Sequence, residues 1–179
     1  MAEIKSTIEL VMERTKHLIM SSEEKERQQA MELIEKIPGY IQKFLDGSIK
    51  EDAVIKAYSE IPSGYVKEAR KKLVEAVIER IDLQSPSALF ALVKKLLGEK
   101  DPITPHIIEL AEIRNHYEQK AGKLKEELTQ KISARLSEKN ISGDAILIVP
   151  EETPAYASLT KDYEKRFGAV RQYIAGQIQ

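Results

Sequence analysis

From Thr104 to Asn140 the sequence has no proline after Pro105 and a single glycine, Gly122. Gly122 costs about 1 kcal/mol relative to alanine in a helix, which does not forbid one. Thr104 can cap the start, Pro105 suits the first helical position, and Glu109 and Glu112 sit toward the positive end of the dipole. Lys131, Arg135 and Lys139 fall in the closing turns, and Asn140 tolerates the left-handed conformation that stops a helix. The pattern predicts one helix over 104–140. About 35 helical residues at 1.5 Å rise make a rod of about 50 Å. A compact body of this chain length is only about 40 Å across. The rod must project, or something must lengthen the body to cover it.

The apolar positions say what such a rod packs against. Leu110, Ile113, Tyr117, Ala121, Leu124, Leu128 and Ile132 form one stripe. A second segment, begun by Thr153-Pro154 and running to about Gln177, carries Tyr156, Leu159, Tyr163, Phe167, Val170, Ile174 and Ile178 at the same successive steps. Both stripes follow an eleven-residue repeat, about 3.67 residues per turn, which keeps two helices in register without a left-handed supercoil. The expectation is a long antiparallel hairpin. Two helices alone leave part of each stripe uncovered, so a second hairpin is expected to complete it. The competing reading is that each stripe simply faces the core of the same chain.

Between these helices Ser142-Gly143-Asp144 leads into Ala145-Ile146-Leu147-Ile148-Val149, a β-branched apolar run that predicts a strand over 145–149. No second strand is legible to pair with it. It is expected to pair with its own copy across a dimer or to serve as a buried linker.

Upstream, residues 3–20 read as an amphipathic helix with Ile4, Ile8, Val11, Met12, Leu18 and Ile19 on one side. Ser21 with Glu24 offers a capping box for a helix carrying Met31, Ile34 and Ile37, which Pro38-Gly39 is expected to interrupt. Ser48 with Glu51 offers another box, for a short helix ending near Ser59. A helix over 65–82 aligns Val66, Ala69, Leu73, Val77 and Ile81. Ser85-Pro86 opens an apolar helix closed by Gly98. The fold class expected is all-α: a bundle of short helices over residues 1–98, then the hairpin over 104–179 with one orphan strand. The two parts can also form one continuous domain. Glu35-to-Tyr40 and Glu60-to-Tyr65 echo each other, which shared turn chemistry explains.

Composition narrows the function classes. The 32% charged and 42% hydrophobic residues describe an ordered, soluble protein, and a net charge of −1 gives no whole-molecule attraction to nucleic acid or anionic membrane. With no cysteine there is no disulfide, thiolate nucleophile or Cys-ligated metal. Early charges at Glu3 and Lys5 break any signal-peptide core, so a cytoplasmic location without membrane insertion is expected. The basic clusters Lys67-Arg70-Lys71-Lys72 and Lys120-Lys123-Lys125 are interleaved with glutamates and read as solvated helix faces, so nucleic-acid binding is not expected. No Walker A loop, dinucleotide-binding glycine motif or nucleophile elbow occurs, and no cofactor is expected.

Three functions remain. The first is a non-catalytic interaction or scaffolding protein, homodimeric through the hairpin. Its interface residues would be Leu124, Leu128, Ile132, Ala145, Ile146, Leu147, Ile148, Val149, Phe167, Val170 and Ile174. The second is a metal-dependent enzyme using His106, Glu109 and His116, which fall on one arc of the long helix. The third is an adaptor that seats a partner's helix in the first 98 residues.

Overall fold

The computed structural model describes residues 21–141 and 148–178, in which six helices and two short 3-10 turns occur and no strand. The predicted helix over 3–20 and residues 145–147 of the predicted strand lie outside the described residues. Ile148 and Val149 are described and belong to no strand.

Helix α1 spans Ser22–Leu45 and opens with the expected capping box. The Ser21 hydroxyl accepts from the Glu24 amide at 3.1 Å, and the Glu24 carboxylate accepts from the Ser21 amide at 2.7 Å. The expected interruption at Pro38 does not occur, for the helix continues through it. Pro38 cannot donate to the Ile34 carbonyl, a loss of about 3 kcal/mol or more in a helix interior. Burial of Ile34, Ile37 and Ile41 on both sides of it compensates, at about 1.5–3 kcal/mol each. Met31 does not join that buried stripe; Ala30 does, and Met31 is 40% exposed.

Helix α2 (Glu51–Ser59) is capped by Lys50 without a side-chain bond, so the Ser48–Glu51 box does not form. A 3-10 turn over Ser63–Tyr65 leads into α3 (Val66–Arg80), where Ala69, Leu73 and Val77 are buried as expected but Val66 is 47% exposed. Before α4 (Ser87–Leu97) the Ser85 hydroxyl accepts from the Asp82 amide and donates to the Asp82 carboxylate, each at 2.9 Å. The long helix α5 spans Thr104–Glu138 and α6 spans Pro154–Gly176. Thr153 caps α6 through the Tyr156 amide. Thr104 does not cap α5; its hydroxyl donates to the Gly98 carbonyl at 2.6 Å and ties α5 to the end of α4.

The packing is continuous across the described helices. α5 packs most extensively on α6, α1 on α3, and α4 on α5, while α6 also reaches α3. One hydrophobic core holds Ile34 and Ile41 of α1, Leu73 and Val77 of α3, Leu92 of α4, Ile107 and Leu110 of α5, and Ile174 of α6.

Candidate interaction surface

Helices α5 and α6 meet through pairs that run in opposite order along the two segments. His106 stacks on Tyr173 with ring centroids 4.6 Å apart, and Tyr117 stacks on Tyr163 at 5.6 Å. The Tyr117 hydroxyl lies 3.1 Å from that of Thr160, and Lys125 pairs with Glu151 just before α6 begins. The two helices are therefore antiparallel. Burial pushes the Tyr156 hydroxyl above its ordinary pKa, and Tyr117 and the Glu151 carboxylate add to the effect. Lys125, by its hydrogen bond, holds the Glu151 carboxyl below its usual value.

The stripe of α5 divides at Ala121. Leu110, Ile113, Tyr117 and Ala121 are buried against the core, so for this half the competing expectation is the one realised. Beyond Ala121 no residue of α5 is buried. Leu124, Leu128, Ile132 and Leu136 are half-buried, and none of them packs against the core that the described residues form. The segment from Gly122 to Glu138 is about 25 Å long at 1.5 Å per residue. It outruns α6, because α6 begins opposite the last buried turn of α5. Asn140 ends the rod in the left-handed conformation expected of it, with φ 54°. The Ile141 amide then reaches back to the Leu136 carbonyl at 2.9 Å.

The remaining interface candidates separate. Phe167 and Ile174 are 3% and 0% exposed inside this chain's own core, so neither presents a surface to a partner. Val170 is half-buried and packs against the same core. Ile148 and Val149 are half-buried on the way back toward α6. Ala145, Ile146 and Leu147 lie outside the described residues.

The metal candidates do not converge. His106 Nδ1 is 3.5 Å from Glu109 Oε2, but its ring is committed to Tyr173. His116 shares the arc but not the level, since ten residues along a helix is about 15 Å. Among the described residues no three His, Cys, Asp or Glu side chains come together to hold a metal ion. The groove of about 260 Å³ beside His106, lined by Glu109, Ala169, Val170 and Tyr173, is an open, largely apolar depression.

One pair escaped the sequence reading. Arg70, taken as part of a solvated basic cluster, forms a bidentate pair with Asp101, whose side chain is 7% exposed. Burial alone would raise the Asp101 carboxyl, but hydrogen bonds from Arg70 and the Ile103 amide outweigh it and hold the carboxyl below its usual range. Nearby, burial pushes the Tyr58 hydroxyl upward. Asp101 falls between the two parts expected from the sequence, 1–98 and 104–179, and nothing in the sequence links it to Arg70. The larger hollow of about 820 Å³ is open and is lined by Tyr117, Glu151, Tyr156, Thr160, Lys161 and Glu164. Among the described residues no helix is long and apolar enough to cross a membrane. No known protein family matches the chain, and no curated protein or solved structure resembles it at a significant level.

Proposed function

We propose that the chain is a non-catalytic protein–protein interaction or scaffolding protein that self-associates through the distal half of α5. One observation carries the reading: past Ala121 the apolar stripe continues as Leu124, Leu128, Ile132 and Leu136, and among the described residues no core lies against it. An apolar ridge kept along a helix that has left its own core is a surface for something else. Covering what remains open of each of these side chains is worth roughly 1 kcal/mol, or about 8 kcal/mol across a symmetric pair. That is comparable with the cost of association, so contacts at the edges must supply the surplus. The complex is expected to dissociate between about 1 and 100 µM.

Light scattering of the purified chain over that range tests the reading. A mass rising to that of two chains supports it, and a monomer at about 100 µM ends it. A helix-binding adaptor has less support. The apolar hollow between α1, α2, α3 and α4, lined by Leu33, Tyr40, Val54, Leu73 and Leu96, holds only about 10 Å³, too little for a partner's side chain.

A further inference from the structure

We propose that Asp46-Gly47 is a site of spontaneous backbone isomerisation, and that the joint between α1 and α2 keeps it silent while the chain is folded. It is the sequence's one Asp-Gly pair, and no Asn-Gly pair occurs. Glycine puts no side chain beside its own nitrogen, so nothing shields the Gly47 nitrogen from the Asp46 carboxyl. Attack of that nitrogen on Asp46 Cγ closes a five-membered imide ring. One N–C bond forms, the carboxyl C–OH bond breaks, and the hydroxyl leaves with the Gly47 amide proton as water. Water then reopens the ring at either carbonyl. Addition at Cγ restores the original chain, whereas addition at the Asp46 backbone carbonyl leaves the chain running through Cβ. No co-reactant other than water is needed.

Both residues are exposed, so what protects the folded chain is geometry and not exclusion of water. Ring closure requires the Gly47 nitrogen to eclipse Asp46 Cβ about the Cα–C bond. At the ψ of −2° that Asp46 adopts, this nitrogen eclipses Asp46's own backbone nitrogen instead. The Gly47 amide is also engaged, donating to the Phe44 carbonyl at 3.1 Å, while the Ser48 amide donates to the Lys43 carbonyl at 2.8 Å. With Gly47 at φ 70°, those two bonds make the Schellman closure of α1. The Asp46 carboxylate is turned back along the helix, where its Oδ1 accepts from Gln42 Nε2 at 2.9 Å. The left-handed glycine that the cap requires is thus the residue that makes the pair reactive, and the cap withholds its nitrogen. Reaction must wait for the joint to open, which breaks these three bonds.

The test is to incubate the full chain at neutral pH, with and without enough urea to unfold it. Trypsin releases residues 44–50 as one peptide, whose two linkage forms share a mass but separate by chromatography. Each hydrogen bond lost multiplies the open population by about five, so the folded chain should isomerise on the order of a hundredfold more slowly than the unfolded one. Asp46→Glu, whose longer side chain would need a six-membered ring, should remove the second peak in both conditions. Asp46→Asn keeps the five-membered route with ammonia as the leaving group. It should convert to the acid, read directly as a mass change, at a rate that urea again accelerates. Equal rates in the folded and unfolded chains would overturn protection by the joint. A second peak that survives Asp46→Glu, or none in urea, would overturn the site itself.

Discussion

Arg70 Nη2 donates to Asp101 Oδ1 at 2.8 Å across 31 positions of sequence, while Arg70 Nε bonds the other carboxylate oxygen. The same Oδ1 accepts the Ile103 amide at 2.8 Å. One carboxylate thus fastens α3 to the segment that launches the long helix, fixing the angle at which the rod leaves the bundle.

Replacing Asp101 by Asn should cost about 2 kcal/mol, the range for hydrogen bonds to a charged group. Arg70 is 31% exposed and can rehydrate, so the larger penalty of a stranded buried charge is not expected. The carboxyl is depressed in the folded chain below its ordinary value near 3.8. Its contribution is therefore present above that value and lost as the pH falls through the lower folded pKa. Urea melts of both proteins should differ at pH 7 and converge progressively below about pH 4. A gap that persists in acid would assign the loss to packing instead.

Gly98 ends α4 at φ 81° and ψ 164°, a combination essentially reserved for glycine. No atom lies within 4 Å of where a Cβ would stand, so the cost of Gly98→Ala is backbone strain alone. Thermal unfolding should show a loss of about 1–3 kcal/mol. A neutral result would mean that this joint relaxes freely.

The two halves of the α5 stripe should answer oppositely to the same substitution. Leu110 is 0% exposed, and Leu110→Asp should cost more than about 4 kcal/mol and unfold much of the protein. Leu128→Asp should leave the melting midpoint of the monomer nearly unchanged while abolishing the doubled mass in light scattering. Equal destabilisation by both would mean that the distal half is core after all.

The His106 ring packs against Tyr173, and among the described residues no group of three metal-ligating side chains includes it. An equimolar addition of zinc should leave the melting temperature unchanged, since binding to the native state alone would raise it. Tyr173→Ala should cost about 0.5–1.5 kcal/mol through loss of the ring contact. A zinc-dependent rise in melting temperature that His106→Ala removes would reinstate the metal site.

Much of the local structure was legible because it is set by neighbours in sequence. The Ser21–Glu24 box, the Thr153 cap and the left-handed Asn140 all appear where their residue types require. Pro38 was misread for the converse reason. A local rule says proline breaks a helix, and the burial of Ile34, Ile37 and Ile41 by other helices overrides it. Arg70 with Asp101 was illegible because no periodicity joins residues on separate elements. His106 and His116 were grouped by angle while the distance along the axis was neglected.

The sequence by itself determined that a rod of 35 residues forms and that one face of it is apolar throughout. Repeats and caps are local, and they impose a helix whatever surrounds it. Where the apolar face stops being core was decided only by the tertiary structure. That boundary depends on the level at which α6 begins alongside α5, set by Lys125 with Glu151, Tyr117 with Tyr163 and His106 with Tyr173. A stripe reads the same in sequence whether its neighbour is present or absent. Only the packed chain distinguishes Leu110, sealed beneath α4 and α6, from Leu128, left on the part of the rod that has outrun them.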